Sequence, residues 1–455
     1  MTIIGEMAMI RIPKYSGQAN RMIAFLLLCS LCLGQYFGIT PVNLGFTALL
    51  VGLACLVPLN DLFVIMYATL PLYNIINYRV GTYTMHYLIV GLFILKFLYY
   101  QKVPVQKLLI FLALFIIRIF AADFVLLVSW SLLIMPLILT LDSKIWGDNI
   151  KDVVFWMNTG MLLSCLVGYI MMVTQKTIYT TAYLYISGER TVRFAGLTGD
   201  SVSFGQTCAL VIGINLVFCF YSKERKKFYV LSSIILALAA LLSFSKMTLT
   251  CLVLVCMTFL VMWAKTHAVT KKQVLCIVLI TGVGLILLAN CTLFLMNYRG
   301  SSSLILGYID RFTRDDLSTG RFSIWGVYLE ILLSKLRYLF VPLTSEMLSA
   351  PIWNPSTSSY VGFVHNLYLE TIAVFGWCAA ILIFVWLIRR LYTHFSRGRS
   401  LMLAIPVFVV LFMGIGSHGN FEYQFYLQFA LALSFLNPEV GRALKGSDSA
   451  NTGSR

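Results

Sequence analysis

Apolar stretches of about 15 to 23 residues succeed one another along the chain, joined by mostly short polar connections. A helix of about 20 apolar residues crosses the hydrocarbon core of a bilayer with every backbone group satisfied. The pattern therefore predicts an all-α polytopic membrane protein. Candidate spans lie at 22–39, 42–58, 62–76, 86–100, 108–122, 124–141, 153–174, 202–221, 228–244, 247–264, 274–296, 367–388, 401–416 and 421–436. The pair 42–58 with 62–76, or 108–122 with 124–141, is short enough to dip in and return instead. Losing either pair leaves every other loop on its side, so the expectation is 12–14 spans. The first run is too long for a signal peptide and no small-residue cleavage site follows it, so it is expected to stay as an anchor.

Composition agrees. Of 455 residues, 60% are hydrophobic and 11% charged, with mean hydropathy +0.87, whereas a soluble domain carries about 25% charge. The net charge of +16 would suggest nucleic acid in a soluble chain. Here, with the N-terminus placed in the cytoplasm, 21 of the 34 lysines and arginines fall on inner segments. That asymmetry orients the chain with both termini cytoplasmic. No nucleic-acid partner is expected. The resulting layout is a cytoplasmic tail over 1–21, one transmembrane domain over 22–440, and a disordered cytoplasmic tail over 441–455. All 11 cysteines lie in apolar runs; Cys29-x-x-Cys32 therefore reads as helix packing rather than redox or metal chemistry.

Eleven basic residues remain on the outer side, ten of them between Lys176 and Arg337. They do nothing for insertion, and an outward anion site or a solvated loop face accounts for them. Two outer loops stand apart. The first, over 175–201, contains Gly188-Glu189-Arg190-Thr-Val-Arg193-Phe-Ala-Gly196-Leu-Thr-Gly199-Asp200. The second, over 297–366, is far longer than ordinary connections. Within it, 322–339 reads as a helix in the interface plane, with Trp325, Leu329, Leu332, Leu333 and Leu336 sharing a face. Arg311 to Arg321 precedes that helix; the Pro/Ser/aromatic stretch from Pro351 to Tyr360, suited to holding sugars, follows it.

His365-Asn366-Leu-Tyr-Leu-Glu370 opens the next span. Asn366 and Glu370 share a helical face. Asn366 also suits an N-cap, and Glu370 a first-turn carboxylate favoured by the helix dipole. His365 and Glu370, five apart, would diverge by about 140° on a regular helix. Lys246, after Ser243-Phe-Ser245, reaches a phosphate or snorkels to the interface. Arg118, near Asp123, needs a partner or a polar cavity. His86, His418 and Glu422 fall at outer ends and are weaker candidates. The chain has no Walker A lysine motif, no G-x-G-x-x-G opening a helix after a strand, and no H-E-x-x-H. Asp315-Asp316 lacks the D-x-D spacing, and an outward catalyst has no nucleotide at hand. No metal site and no cofactor are expected.

Three segments together resemble the O-antigen polymerase and ligase family of bacterial membrane glycosyltransferases. They are Arg193-Phe-Ala-Gly196-Leu-Thr-Gly199-Asp200, Ser245-Lys246 at a helix start, and Thr319-Gly320-Arg321-Phe-Ser-Ile-Trp325 followed by His365-Asn366 and Gly376. Lysine stands at 246 where the family more often has arginine, and the Pro-x-x-Gly-x-Gly stretch before His-Asn is reduced to Leu339-Phe-Val-Pro342. The resemblance implies transfer of a glycan from undecaprenyl diphosphate to a sugar hydroxyl, outside the cytoplasmic membrane, without metal and with inversion. A departing diphosphate needs fixed positive charge. Arg193, Arg321 and Lys246 are the candidate clamp, then Arg190, then Arg118, with Asn366 also at the substrate. His365 is either the base that takes the hydroxyl proton or a hydrogen-bond donor to the diphosphate, and Glu370 is the fallback base. The Ser-Thr-Gly-Arg run and the high span count favour a polymerase of O-antigen or capsule repeats. A ligase would use the lipid A core as acceptor, and a lipid-linked oligosaccharide flippase is a third reading. Expected partners are the lipid-linked oligosaccharide, membrane lipids, and a chain-length regulator and flippase of the same pathway.

Overall fold

A computed structural model describes residues 17–76, 84–119, 121–122, 124–174, 183–186, 189–222, 224–267, 320–354, 359–361, 364–416 and 424–445, with isolated helical positions between 272 and 286. In chain order the helices are α1 (Gly17–Phe37), α2 (Thr40–Leu56), α3 (Leu59–Thr69), α4 (His86–Tyr100), α5 (Val105–Ile119), α6 (Phe124–Thr140) and α7 (Ile145–Val173). A hairpin of β1 (Tyr183–Ile186) and β2 (Glu189–Val192) leads to α8 (Ser201–Tyr221), α9 (Lys226–Leu242) and α10 (Lys246–His267). Then come α11 (Arg321–Ser334), α12 (Ser345–Ser349), a hairpin of β3 (Ile352–Asn354) and β4 (Ser359–Val361), α13 (Leu367–Ser396), α14 (Leu401–Met413), α15 (Phe425–Ser434) and α16 (Pro438–Lys445).

Four of these helices, α1, α7, α8 and α13, are individually long and apolar enough to cross a membrane, and seven shorter apolar helices accompany them among the described residues. The protein is an all-α membrane protein carrying two small hairpins. The predicted span 274–296 lies almost wholly outside the described residues. So do Arg311 to Thr319, His418 and Glu422.

Helix α8 forms the centre. Its sequence is apolar all round, so it is covered on every side; α7, α9, α10 and α14 pack against it. Two of the polar side chains it carries, Thr207 and Asn215, are bonded across helices. Asn158 of α7 and Asn215 of α8 exchange reciprocal amide hydrogen bonds of 2.8 Å, and Ser232 of α9 donates to Asn158 Oδ1 at 2.5 Å. Lower down the same helix, Gln428 Nε2 donates to Thr207 Oγ1 at 2.8 Å and to Gln424 Oε1 at 3.0 Å. Replacing Asn215 by leucine removes both reciprocal bonds and leaves Asn158 only the Val154 carbonyl and the Ser232 hydroxyl as partners. We expect a loss of about 2 kcal/mol, read as a lower melting temperature of the detergent-solubilised protein.

Contacts gather the connections and helix ends into two groups, one at each end of the bundle. At one end Arg21 pairs with Asp61 and Asp152, Lys151 with Glu224, and Arg390 with Asp142. There too Arg399 donates to the Leu436 carbonyl, and Lys107 to those of Leu139 and Leu141. At the other end Asn74 donates to Thr198, Arg193 to Ser243, Ser345 to Ala121 and Asn366 to Ile415. Each of these contacts joins connections or span ends at one end of the bundle.

Two expectations change. The helix predicted over 322–339 ends at Ser334 and continues as a 3-10 turn, Leu336–Leu339. Its buried face is Ile324, Tyr328 and Leu332, which shares only Leu332 with the predicted stripe; Leu333 and Leu336 are 70% and 84% exposed. Packing on α13 and β3 selects that face, and Trp325 is held at its edge by Nε1–H donating to the Val364 carbonyl at 3.0 Å. The tail predicted as disordered from 441 begins as helix α16, which docks Val440 and Leu444 into the core beside α7. Residues 446–455 lie outside the described residues.

Candidate functional site

The site begins with the loop before α8. Backbone N–H of Phe194 donates to the Leu242 carbonyl at 3.0 Å, and Arg193 Nε donates to the Ser243 carbonyl at 2.8 Å. The loop is thereby bound to the end of α9. Gly196 takes φ 54°, and its backbone lies so close to α7 that a Cβ on Gly168 would stand 2.8 Å from the Gly196 Cα. Ser164 Oγ accepts from Leu197 N at 2.9 Å, and Asn74 donates to the Thr198 carbonyl. Asp200 then caps α8, its carboxylate accepting from Ser203 N at 2.7 Å. The R-x-x-G-L-T-G-D run is thus a strap held by the turn after α3, by α7 and by the end of α9.

Ser243 and Phe244 turn the chain from α9 into α10. Phe244 is buried in left-handed backbone, φ 50°, a conformation that costs a non-glycine residue about 1 kcal/mol or more. Ser245 Oγ accepts from Thr248 N at 3.3 Å, so Lys246 stands at the first position of α10. Its ammonium charge and the positive end of the helix dipole add there.

Arg321 arrives from the long loop. Gly320, at φ 75°, turns the chain into α11, so that Arg321 is its first residue. A Cβ on Gly416 would stand 2.7 Å from Arg321 Nη1 and 3.4 Å from Cγ of Met247, the neighbour of Lys246. Gly416 therefore admits the guanidinium against its backbone. The adjoining carbonyl, that of Ile415, accepts from Asn366 Nδ2 at 3.4 Å. Asn366 is the N-cap of α13, its Oδ1 accepting from Tyr368 N at 3.0 Å and Leu369 N at 3.1 Å. His365, just before it, takes φ 51° and is half-buried. Contacts thus run unbroken from Arg193 through Ser243 and the start of α10 to Arg321, Gly416, Asn366 and His365.

No protein-family model, curated protein or solved structure matches this chain.

Among the predicted residues, Arg193, Lys246, Arg321, His365 and Asn366 converge on this one end of the bundle. Arg190 lies on β2, opposite Tyr185. Arg118 and Glu370 lie in the interior, 2% and 0% exposed, with Glu370 in the first turn of α13. His86 is buried against Thr69, with Nε2 and Oγ1 2.9 Å apart, in a packing position. The predicted 140° divergence of His365 and Glu370 does not apply, because His365 precedes the helix. Among the described residues no group of three or more His, Cys, Asp or Glu is placed to hold a metal.

Asn74, Ser164, Gly168, Met247 and Gly416 escaped the sequence reading. Asn74 and Ser164 hydrogen-bond the strap's backbone, and Gly168, Met247 and Gly416 meet the site by close packing, all with partners far off in the chain, so no local pattern marks them.

Proposed function

We propose that the protein is a polysaccharide polymerase of a bacterial cytoplasmic membrane. It transfers a glycan from undecaprenyl diphosphate to a hydroxyl of a second lipid-linked repeat unit. The observation that carries this reading is the convergence of Arg193, Lys246 and Arg321 with His365-Asn366 around the Ile415–Gly416 backbone. Arg193 bonded to the Ser243 carbonyl, Arg321 lying against Gly416 and Lys246 at the first position of α10 suit a diphosphate that gains charge as it leaves.

In the proposed step the acceptor oxygen attacks the anomeric carbon from the face opposite the leaving group. The carbon–oxygen bond to the diphosphate breaks, and its electron pair departs with the phosphate oxygen. The hydroxyl proton passes to the neutral imidazole of His365, and the anomeric configuration inverts. No nucleotide is needed, since the donor's energy resides in the diphosphate linkage.

The same reading puts this end of the bundle outside the membrane and both termini in the cytoplasm, with 12–14 crossings. The exposed apolar side chains of Phe322, Leu333, Leu336 and Phe340 then rest in the outer leaflet, with Lys335 and Arg337 at headgroup level.

Purified protein given only lipid-linked repeat units should build a ladder of products, and His365→Ala should reduce it at least about 100-fold. Products formed only when lipid A core is added would identify a ligase. Movement of the lipid-linked unit across vesicles without any new glycosidic bond would identify a flippase.

A further inference from the structure

Helix α13 is two helices. At Gly376 the backbone takes φ 78° and ψ 164°, so 367–375 forms a separate half-helix with the His365-Asn366 turn at its head. In an unbroken helix the carbonyls of Ala373 and Val374 would accept from residues 377 and 378. The break withdraws those donors. Leu343 N–H takes the Ala373 carbonyl at 2.8 Å, and Arg118 Nη1 lies 3.5 Å from that of Val374.

Glu370 stands one turn before Val374 on the same face, and it is fully buried. Arg118 and Glu370 are both electrostatic neighbours of the Tyr426 hydroxyl, which also accepts from Trp130 Nε1 at 2.9 Å. The Arg118 guanidinium lies 6.0 Å from the centre of the Trp130 ring. A cation thus sits at the negative end of the half-helix and a carboxylate in its first turn, the arrangement the helix dipole favours at each end.

We infer that Arg118 and Glu370 are positioning residues, a buried pair of opposite charges that fixes the half-helix and so holds His365-Asn366 against Ile415 and Gly416. Neither is placed to touch the substrate: Glu370 is not the base, and Arg118 is not part of the diphosphate clamp. This rests on the reading of His365 as the group that meets the acceptor. The charge pairing itself rests on their common position, Arg118 at the Val374 carbonyl one turn from Glu370 and both beside the Tyr426 hydroxyl.

The test is a double-mutant cycle of Arg118→Met and Glu370→Gln, followed by two measurements on the full-length protein in detergent. Removing one partner leaves an uncompensated buried charge, whereas removing both leaves none. Each single variant should lower the melting temperature, and the double variant should lose clearly less than the sum of the two. With lipid-linked repeats as substrate, each single should lower kcat roughly tenfold or more with KM little changed. The double should recover activity above either single, and the acidic limb of the pH–rate profile should stay where it is.

Additive losses in the melt would overturn the pair. Coupling in the melt with native kcat in both singles would overturn the positioning role. A Glu370→Gln protein that stays inactive in the double variant and loses the acidic limb would make Glu370 the base. Should Arg118→Met fail to fold, Arg118→Lys keeps the charge and should retain more of the native melting temperature than Glu370→Gln does. If native protein forms no polymer while the melt shows coupling, the polymerase reading fails and the pair remains.

Discussion

Arg321→Ala should lower polymer formation about 100- to 1,000-fold, the effect of removing one fixed donor from a site that stabilises a departing anion. The guanidinium lies against Gly416 and Met247, where the long loop, the start of α10 and the end of α14 meet. Lysine there keeps the charge but loses the planar fork, so Arg321→Lys should fall between the two. The measurement is polymer length and yield in a strain lacking the native gene, with the membrane level of each variant checked. Arg193→Ala should be at least as damaging, because it also removes the hydrogen bond to the Ser243 carbonyl that anchors the strap. Normal yields of full-length chains from Arg321→Ala, Arg193→Ala and His365→Ala would end the proposal.

The second large effect concerns Gly376. Its backbone lies in a region open essentially to glycine alone, and a Cβ there would stand 3.2 Å from the carbonyl carbon of Phe340. Gly376→Ala should therefore cost about 3 kcal/mol, shortening the half-life of the solubilised protein at elevated temperature. Relief would come from straightening the helix, but a straight α13 could not keep the Ala373 carbonyl paired with Leu343 N–H. Activity should fall with stability, since the same break sets the direction of the His365-Asn366 turn. A Gly376→Ala protein as durable as the native one would show that the kink is not required.

How far the site could be read from the chain depends on what each residue answers to. Asn366 was legible as an N-cap because a cap is a local event: its acceptor serves amides two and three positions on. Asp200 caps α8 by the same local geometry, its carboxylate accepting from Ser203 N. The face of α11 was not legible. Apolar residues surround that helix, so the sequence supplied several stripes and packing on α13 chose Ile324, Tyr328 and Leu332. Arg118 shows the division in one residue. An intramembrane arginine announces that it needs a partner, but the partner, a carbonyl orphaned by a glycine 258 residues away in sequence, exists only after the fold brings α5 beside α13.

What the sequence determined by itself was the kind of molecule: apolar runs too long and too numerous for a soluble core, and a basic bias that splits the connections into two sets. Hydrophobic length and charge are sums over neighbouring residues, so they survive without knowledge of contacts. What only the tertiary structure decided was which outer residues meet. Gly416 admits Arg321, Ser243 receives Arg193, and Ile415 receives Asn366, each across a separation that local pattern does not encode. Convergence of charge is a property of helix packing, and packing is settled by shape across the whole bundle.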